Sequence, residues 1–133
     1  MYTVSITRLR VRSFLFMPIF MLHALRSGAQ ANQATGICDF ETRSQPGRVF
    51  WTKTSWSEET AMKRFRNSGA HQLAMRVLSQ ICSEASYTRW TQAGPELPDW
   101  TEAHRRLLAD GRLSKIKHPS SLHLAGNTAP PLD

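Results

Sequence analysis

Apolar positions along this chain switch between a period of two and a period near 3.6, and each switch marks an element. Residues 2–13 read as a strand with a slip in it: Val4 and Ile6 share one parity, Leu9 and Val11 the other. A β-bulge near Thr7–Arg8 would bring all four to the core and turn Arg8, Arg10 and Arg12 outward. A regular strand would instead set the arginines beside Val4 and Ile6. Residues 18–33 read as a helix, with Pro18 in its first turn, where the missing N–H has no partner to lose. Its buried stripe is expected at Pro18, Met21, Leu22 and Leu25, extended backward by Phe14 and Met17. A strand over residues 37–42 is joined by Pro46-Gly47, a strong turn signal, to a second over residues 49–56, giving an antiparallel hairpin. Ser57 is placed to cap a helix from Glu58, with Ala61, Met62 and Phe65 as its stripe. Asn67-Ser68-Gly69 breaks that helix, and a second segment from about Ala70 carries Leu73, Ala74, Val77, Leu78 and Ile81. Residues 84–92 give a fourth strand.

The order is β-α-β-β-α-β, so the expected fold class is α+β, ferredoxin-like, with an antiparallel sheet and helices on one face. The other sheet face needs a cover, and a second subunit is the expected one, making a homodimer. This domain spans residues 1–94. Residues 95–111 form a linker and a helix capped by Asp99, with Glu102 at the reciprocal position and Trp100, Ala103, Leu107 and Leu108 as its apolar face. That helix docks back on the domain or on a partner subunit. The Ser/Pro/Asn-rich remainder, residues 112–133, is expected to be mobile.

A chain of 133 residues with 41% apolar content suits one compact domain. Its formal charge of +7 raises an acidic partner, but the charge is scattered rather than gathered into a stripe, which argues against nucleic acid. Cys38 and Cys82 form no metal spacing. Reduced thiols in the cytoplasm are the simplest reading, with a single disulfide the other. Arg8, Arg10 and Arg12 before the apolar run at residues 14–25, and Ala29-Gln30-Ala31 after it, have the outline of a cleaved leader. Pro18, His23 and Arg26 interrupt that outline, and the strand pattern of residues 2–12 favours a segment the fold retains. The twelve-residue run is too short to cross a bilayer, which takes about 20 residues.

Candidate chemistry is sparse. Trp51 and Trp56, five positions apart on one strand, fall on opposite sheet faces. Either could wall a pocket for a flat apolar ligand or simply fill a core and an interface, and Trp90 shares that choice. His71 follows the helix break and could act as general base, or merely hydrogen-bond backbone. His23 is a weaker candidate, with no partner in view. Tyr87 could orient a substrate oxygen or cap a buried carbonyl. Arg8, with Arg64 and Arg66, could line an anion-attracting mouth or belong to a solvated basic face. No metal site is expected.

The stretch SWSEETAMKRFRNSGAHQLAM resembles the Trp, acidic pair, small residue, aromatic, Ser, His pattern of the antibiotic-biosynthesis-monooxygenase superfamily. VSITRLRVRS, FWTKTSW and SEASYTRW extend the likeness over about residues 2–92, toward spheroidene-monooxygenase-like proteins and uncharacterised bacterial relatives. The resemblance implies dimeric α+β barrels built from ferredoxin-like halves. It also implies monooxygenase-type chemistry on an apolar, aromatic or polyene, small molecule bound between sheet and helices, with no cofactor or with haem. Combined with the residues singled out above, this gives His71 and Tyr87 as catalytic candidates and Trp51, Trp56, Phe65, Trp90 and Arg8 as ligand-binding ones. Haem-degrading members carry an asparagine, a tryptophan and a histidine where this chain has Thr7, Phe65 and Met75, so that mechanism is not expected here. A non-enzymatic ligand-binding or dimerisation module of the same fold is the alternative.

Overall fold

The computed structural model describes residues 1–130. Its core is a sheet of β1 (Tyr2–Val11), β2 (Ile37–Gln45), β3 (Val49–Trp56), β4 (Cys82–Gln92) and the short β5 (Arg112–Leu113), ordered β2-β3-β1-β4-β5. All pairings are antiparallel. A single 3-10 turn (Phe14–Phe16) leads into α1 (Met17–Gln33); α2 (Glu59–Arg66) and α3 (Gly69–Ile81) connect β3 to β4. The α+β ferredoxin-like arrangement is therefore present, with α1, α2 and α3 on one face.

β1 keeps a regular register against both neighbours as far as Arg10, and shifts only between Arg10 and Val11 on the β4 side. The expected bulge at Thr7–Arg8 is absent. Val4, Ile6 and Arg8 consequently share one face, and all three are buried. A guanidinium there needs a counter-charge, and Glu84 supplies it: Arg8 Nη1 donates to Oε1 at 2.8 Å, with both side chains 3% exposed. Ser120 Oγ donates to Oε2 at 3.1 Å, and Arg10 lies 3.4 Å from it.

The face opposite α1–α3, which the sequence reserved for a second subunit, is covered by the chain itself. α4 (Trp100–Asp110) lays Ala103 and Leu107, both fully buried, over Val4, Ile6, Val49 and Trp51. Asp99 caps it by accepting from the Glu102 N–H at 2.8 Å. Leu108, expected on its apolar face, is instead exposed. The buried Lys53 fastens the approach to α4, donating to the Pro98 carbonyl at 2.6 Å, with its ammonium 4.1 Å from the Trp100 ring centroid. A dimer through this face would have to displace α4.

Residues beyond Gly111 were expected to be mobile, yet they pack against the domain. Ser86 Oγ donates to the Thr128 carbonyl at 2.6 Å, Thr128 Oγ1 donates to the Leu107 carbonyl at 2.8 Å, and Ser121–Leu124 forms α5. Backbone and hydroxyl bonds, which composition does not reveal, hold this segment. The last three residues of that expected tail lie outside the described residues.

α1 differs from expectation in a way that matters below. It buries Phe20, His23 and Ala31, so Pro18, Met21, Leu22 and Leu25 point outward. Residues 14–25 are apolar nearly all round, so periodicity alone cannot choose the inner side; the packing of Phe20 on Phe50, ring centroids 4.4 Å apart, does. Ser57 likewise does not cap α2, whose N-cap is Glu58. Among the described residues no helix is long and apolar enough to cross a membrane.

Candidate functional site

Strand register sorts the candidate residues by face. Thr52, Thr7 and Tyr87 form one row across β3, β1 and β4, Thr54, Ser5 and Arg89 the next, and Trp56, Thr3 and Thr91 the third. All nine point toward α1–α3. Below them, Phe50, Leu9 and Ala85 make an apolar row against which Phe20, Met17, Val77 and Leu78 pack. In the middle of this face, however, Ser5, Thr7, Thr52 and Tyr87 are only half-buried and Arg89 is exposed, whereas Val4, Ile6 and Thr88 on the opposite face are buried. The helix layer thus buries Trp56 and Thr3 at one end of the face and leaves a shallow, half-open trough over Thr52, Thr7 and Tyr87, open toward Arg89 of β4. Its floor is a patch of hydroxyls.

One end of the trough is an aromatic stack. Trp56 is fully buried, its ring 5.1 Å from Phe65, and Phe65 is 4.4 Å from the His71 ring. Trp56 Nε1 donates to Thr54 Oγ1 at 2.9 Å. The His71 Nδ1 lies 3.3 Å from the Arg66 carbonyl. A carbonyl only accepts, so Nδ1 carries the proton and the Nε2 lone pair is left free. Burial lowers the His71 pKa below its ordinary 6.5; the Arg66 carbonyl pulls it back up and the Arg66 charge adds to the lowering. The imidazole is therefore neutral at neutral pH, the form able to accept a proton.

The helix break that positions this stack is plugged by Gln30 of α1, which the sequence did not single out. Gln30 Nε2 donates to the carbonyls of Phe65 and Ser68 at 3.2 and 2.9 Å, and its Oε1 accepts from the His71 N–H at 2.7 Å. Gly69 holds φ +58°, and a Cβ there would come within 3.0 Å of the Gln30 amide. Gln30→Ala is expected to cost about 1–3 kcal/mol, the penalty for stranding partly buried polar groups. It should also raise the His71 pKa toward 6.5 as the break loosens, which an NMR titration of the imidazole protons would read.

His23 is buried on the inner side of α1, one turn past Phe20. That turn advances about 4.5 Å along the sheet, from Phe50 toward Thr52, and among the described residues the His23 ring makes no hydrogen bond. Tyr87 stands away from His71's end of the trough. Trp56 and Tyr87 are four residues and two strands apart, about 16 Å by strand geometry.

The remaining candidates are not in the trough. Arg8 is committed to Glu84 beneath α4 rather than lining a mouth. Trp51 and Trp90 face α4. Trp51 donates to Gln45 Oε1 at 2.7 Å and meets Trp100 and His104 at 6.4 and 5.8 Å; Arg106 lies 4.2 Å from the Trp90 ring centroid. A cleft of about 270 Å³ lies beside Trp51, lined by Arg43, Gln45, Trp100, Thr101 and His104. Arg64 is exposed, and Met75 is 42% exposed. Both cysteines are free, and burial pushes the Cys82 thiol up to about 12, which keeps it unreactive. No cluster of three metal-ligating side chains occurs among the described residues.

The fold has counterparts among solved structures. No family model and no curated protein matches the chain, but solved structures do. SnoaB from Streptomyces nogalater, a cofactor-independent oxygenase, superposes with a TM-score of 0.55 at 16% identity, over 74% of this chain and 98% of its own. A structure described as an antibiotic biosynthesis monooxygenase gives 0.61 at 8% identity, over 71% and 100%. A conserved protein from Methanosarcina mazei Go1 gives 0.61 at 12%, over 69% and 93%. The chain therefore has the fold of antibiotic biosynthesis monooxygenases.

Proposed function

We propose that this protein is a monooxygenase-like protein that binds an apolar, aromatic or polyene, small molecule in the trough between sheet and helices. The observation that carries this is the half-open row of Thr52, Thr7 and Tyr87 at the centre of the helix-bearing face of the sheet. Three hydroxyls side by side suit a ligand's polar end, and the Trp56–Phe65–His71 stack suits its flat apolar end. The length between them fits an extended or fused-ring molecule. The neutral His71 takes a proton from an acidified carbon of the ligand, and dioxygen is the oxidant. A methylene becoming a carbonyl in this way exchanges two hydrogens for one oxygen atom, and the second oxygen leaves as water. The fold likeness to a cofactor-independent oxygenase supports such chemistry.

The test is oxygen uptake with polycyclic phenols and polyenes, together with ligand binding by tryptophan fluorescence. His71→Ala is expected to lower turnover about 10²–10⁴-fold, the usual share of a general base, and Tyr87→Phe to weaken binding. Loss confined to His23→Ala would move the proton-accepting role to that imidazole. Binding without oxygen consumption would leave a non-enzymatic module. Haemin titration is a separate arm: a sharp Soret band at one equivalent, abolished by His71→Ala, would recast His71 as a haem ligand.

A further inference from the structure

The outward side of α1 is the largest anomaly on the surface. Phe14 and Leu15 are 74% and 86% exposed, and Ile19, Met21, Leu22 and Leu25 are 41%, 42%, 44% and 69% exposed. Six large apolar side chains on one helix and the turn before it make a contiguous patch of the kind soluble surfaces rarely leave open. Its own core partner is already settled, since α1 docks through Phe20, His23 and Ala31.

The charge around the patch is of one sign. No Asp or Glu occurs in the first 38 residues, nor in Gly69–Ile81 of α3, which packs beside α1. Arg12, Arg26 and Arg76 are exposed on these segments. Two arginines are built into the patch itself: the Arg12 guanidinium stacks 4.2 Å from the Phe16 ring centroid, and that of Arg48 lies 4.7 Å from the Phe14 ring centroid. We propose that this face of α1 is an interfacial anchor that lays the protein on an anionic lipid surface, its apolar side chains entering the headgroup boundary and its arginines meeting lipid phosphates.

Charge complementarity selects this occupant. A second copy meeting the patch by two-fold symmetry would bring Arg12 and Arg26 against a surface equally free of carboxylates. An anionic bilayer offers both an apolar layer and the opposite charge, the pair of attractions that interfacial amphipathic helices use.

Vesicle co-sedimentation of the full chain tests this, comparing phosphatidylcholine alone with phosphatidylcholine containing about 30% phosphatidylglycerol. Binding to the anionic vesicles is expected to be at least about tenfold stronger and to weaken as salt is raised. Leu22→Glu/Leu25→Glu should abolish it with an unchanged circular dichroism spectrum, and Leu15→Glu, outside the helix, should weaken it even if the double variant fails to fold. Equal binding to both vesicle types, or binding insensitive to Leu15→Glu, would overturn the proposal. So would light scattering that finds a dimer dissociated by these same substitutions.

Discussion

Arg8→Met is expected to destabilise the protein by about 3–5 kcal/mol, the usual cost of stranding a buried charge by removing its partner. Glu84 would keep only Arg10, at 3.4 Å, and the Ser120 hydroxyl. Urea denaturation at pH 7 measures the loss, and Arg8→Met/Glu84→Leu should recover most of it, because no lone charge then remains. A loss below about 1 kcal/mol for the single variant would mean that the pair behaves as a surface ion pair does. Burial alone would raise the Glu84 pKa, but the hydrogen bond and charge of Arg8, with Ser120 and Arg10, more than offset that and hold it below its ordinary value. Its folded pKa is thus depressed. Its contribution is complete above the unfolded carboxylate value near 4.3 and is lost as pH falls through the folded one. The wild type should therefore lose stability on acidification below about pH 4, and the double variant should lose less.

Trp56→Ala should cost a similar amount, about 3–5 kcal/mol, since the side chain is fully buried and leaves a cavity. Its more informative effect is on the trough. Phe65 loses the ring it packs on, and the His71 imidazole, held neutral by burial, gains water. Its pKa is expected to climb toward 6.5, and ligand binding should fail even where the fold survives. Thermal melting, imidazole titration and fluorescence binding on one sample separate the two effects. Trp51→Ala is the control, because it removes an indole of comparable burial from the opposite face and should leave His71 unaffected.

Much of the frame was legible because period and turn chemistry are local. The four strands, the Pro46-Gly47 hairpin, the break at Asn67-Ser68-Gly69 and the Asp99 cap all stand where the pattern put them. Opposite faces for Trp51 and Trp56 followed from parity alone. What was not legible depended on long-range partners. The bulge expected at Thr7–Arg8 kept arginine out of the core, yet Glu84, 76 residues away, makes a buried Arg8 tolerable. A search for a carboxylate of matching parity on the fourth strand would have found it. The outer stripe of α1 was mistaken for the inner one because apolar residues surround its first turns. Gln30 gave no local signal, since its three partners come from a different helix pair.

The residues singled out in the sequence do not all share one face of the sheet. Trp56, Phe65 and His71 do come together, while Trp51, Trp90 and Arg8 lie across the sheet. Tyr87 shares their face but belongs to a hydroxyl row, with Thr7 and Thr52, whose side chains individually look unremarkable in sequence.

Finally, the cover over the second sheet face travels with the chain. α4 is tethered by a seven-residue link, residues 93–99, so its local concentration over Val4, Ile6 and Trp51 is fixed by linker geometry rather than by how much protein is present. A sheet sealed by another subunit would obey mass action and come apart on dilution. This one keeps its second layer at any abundance, so dilution does not uncover Val4, Ile6 and Trp51.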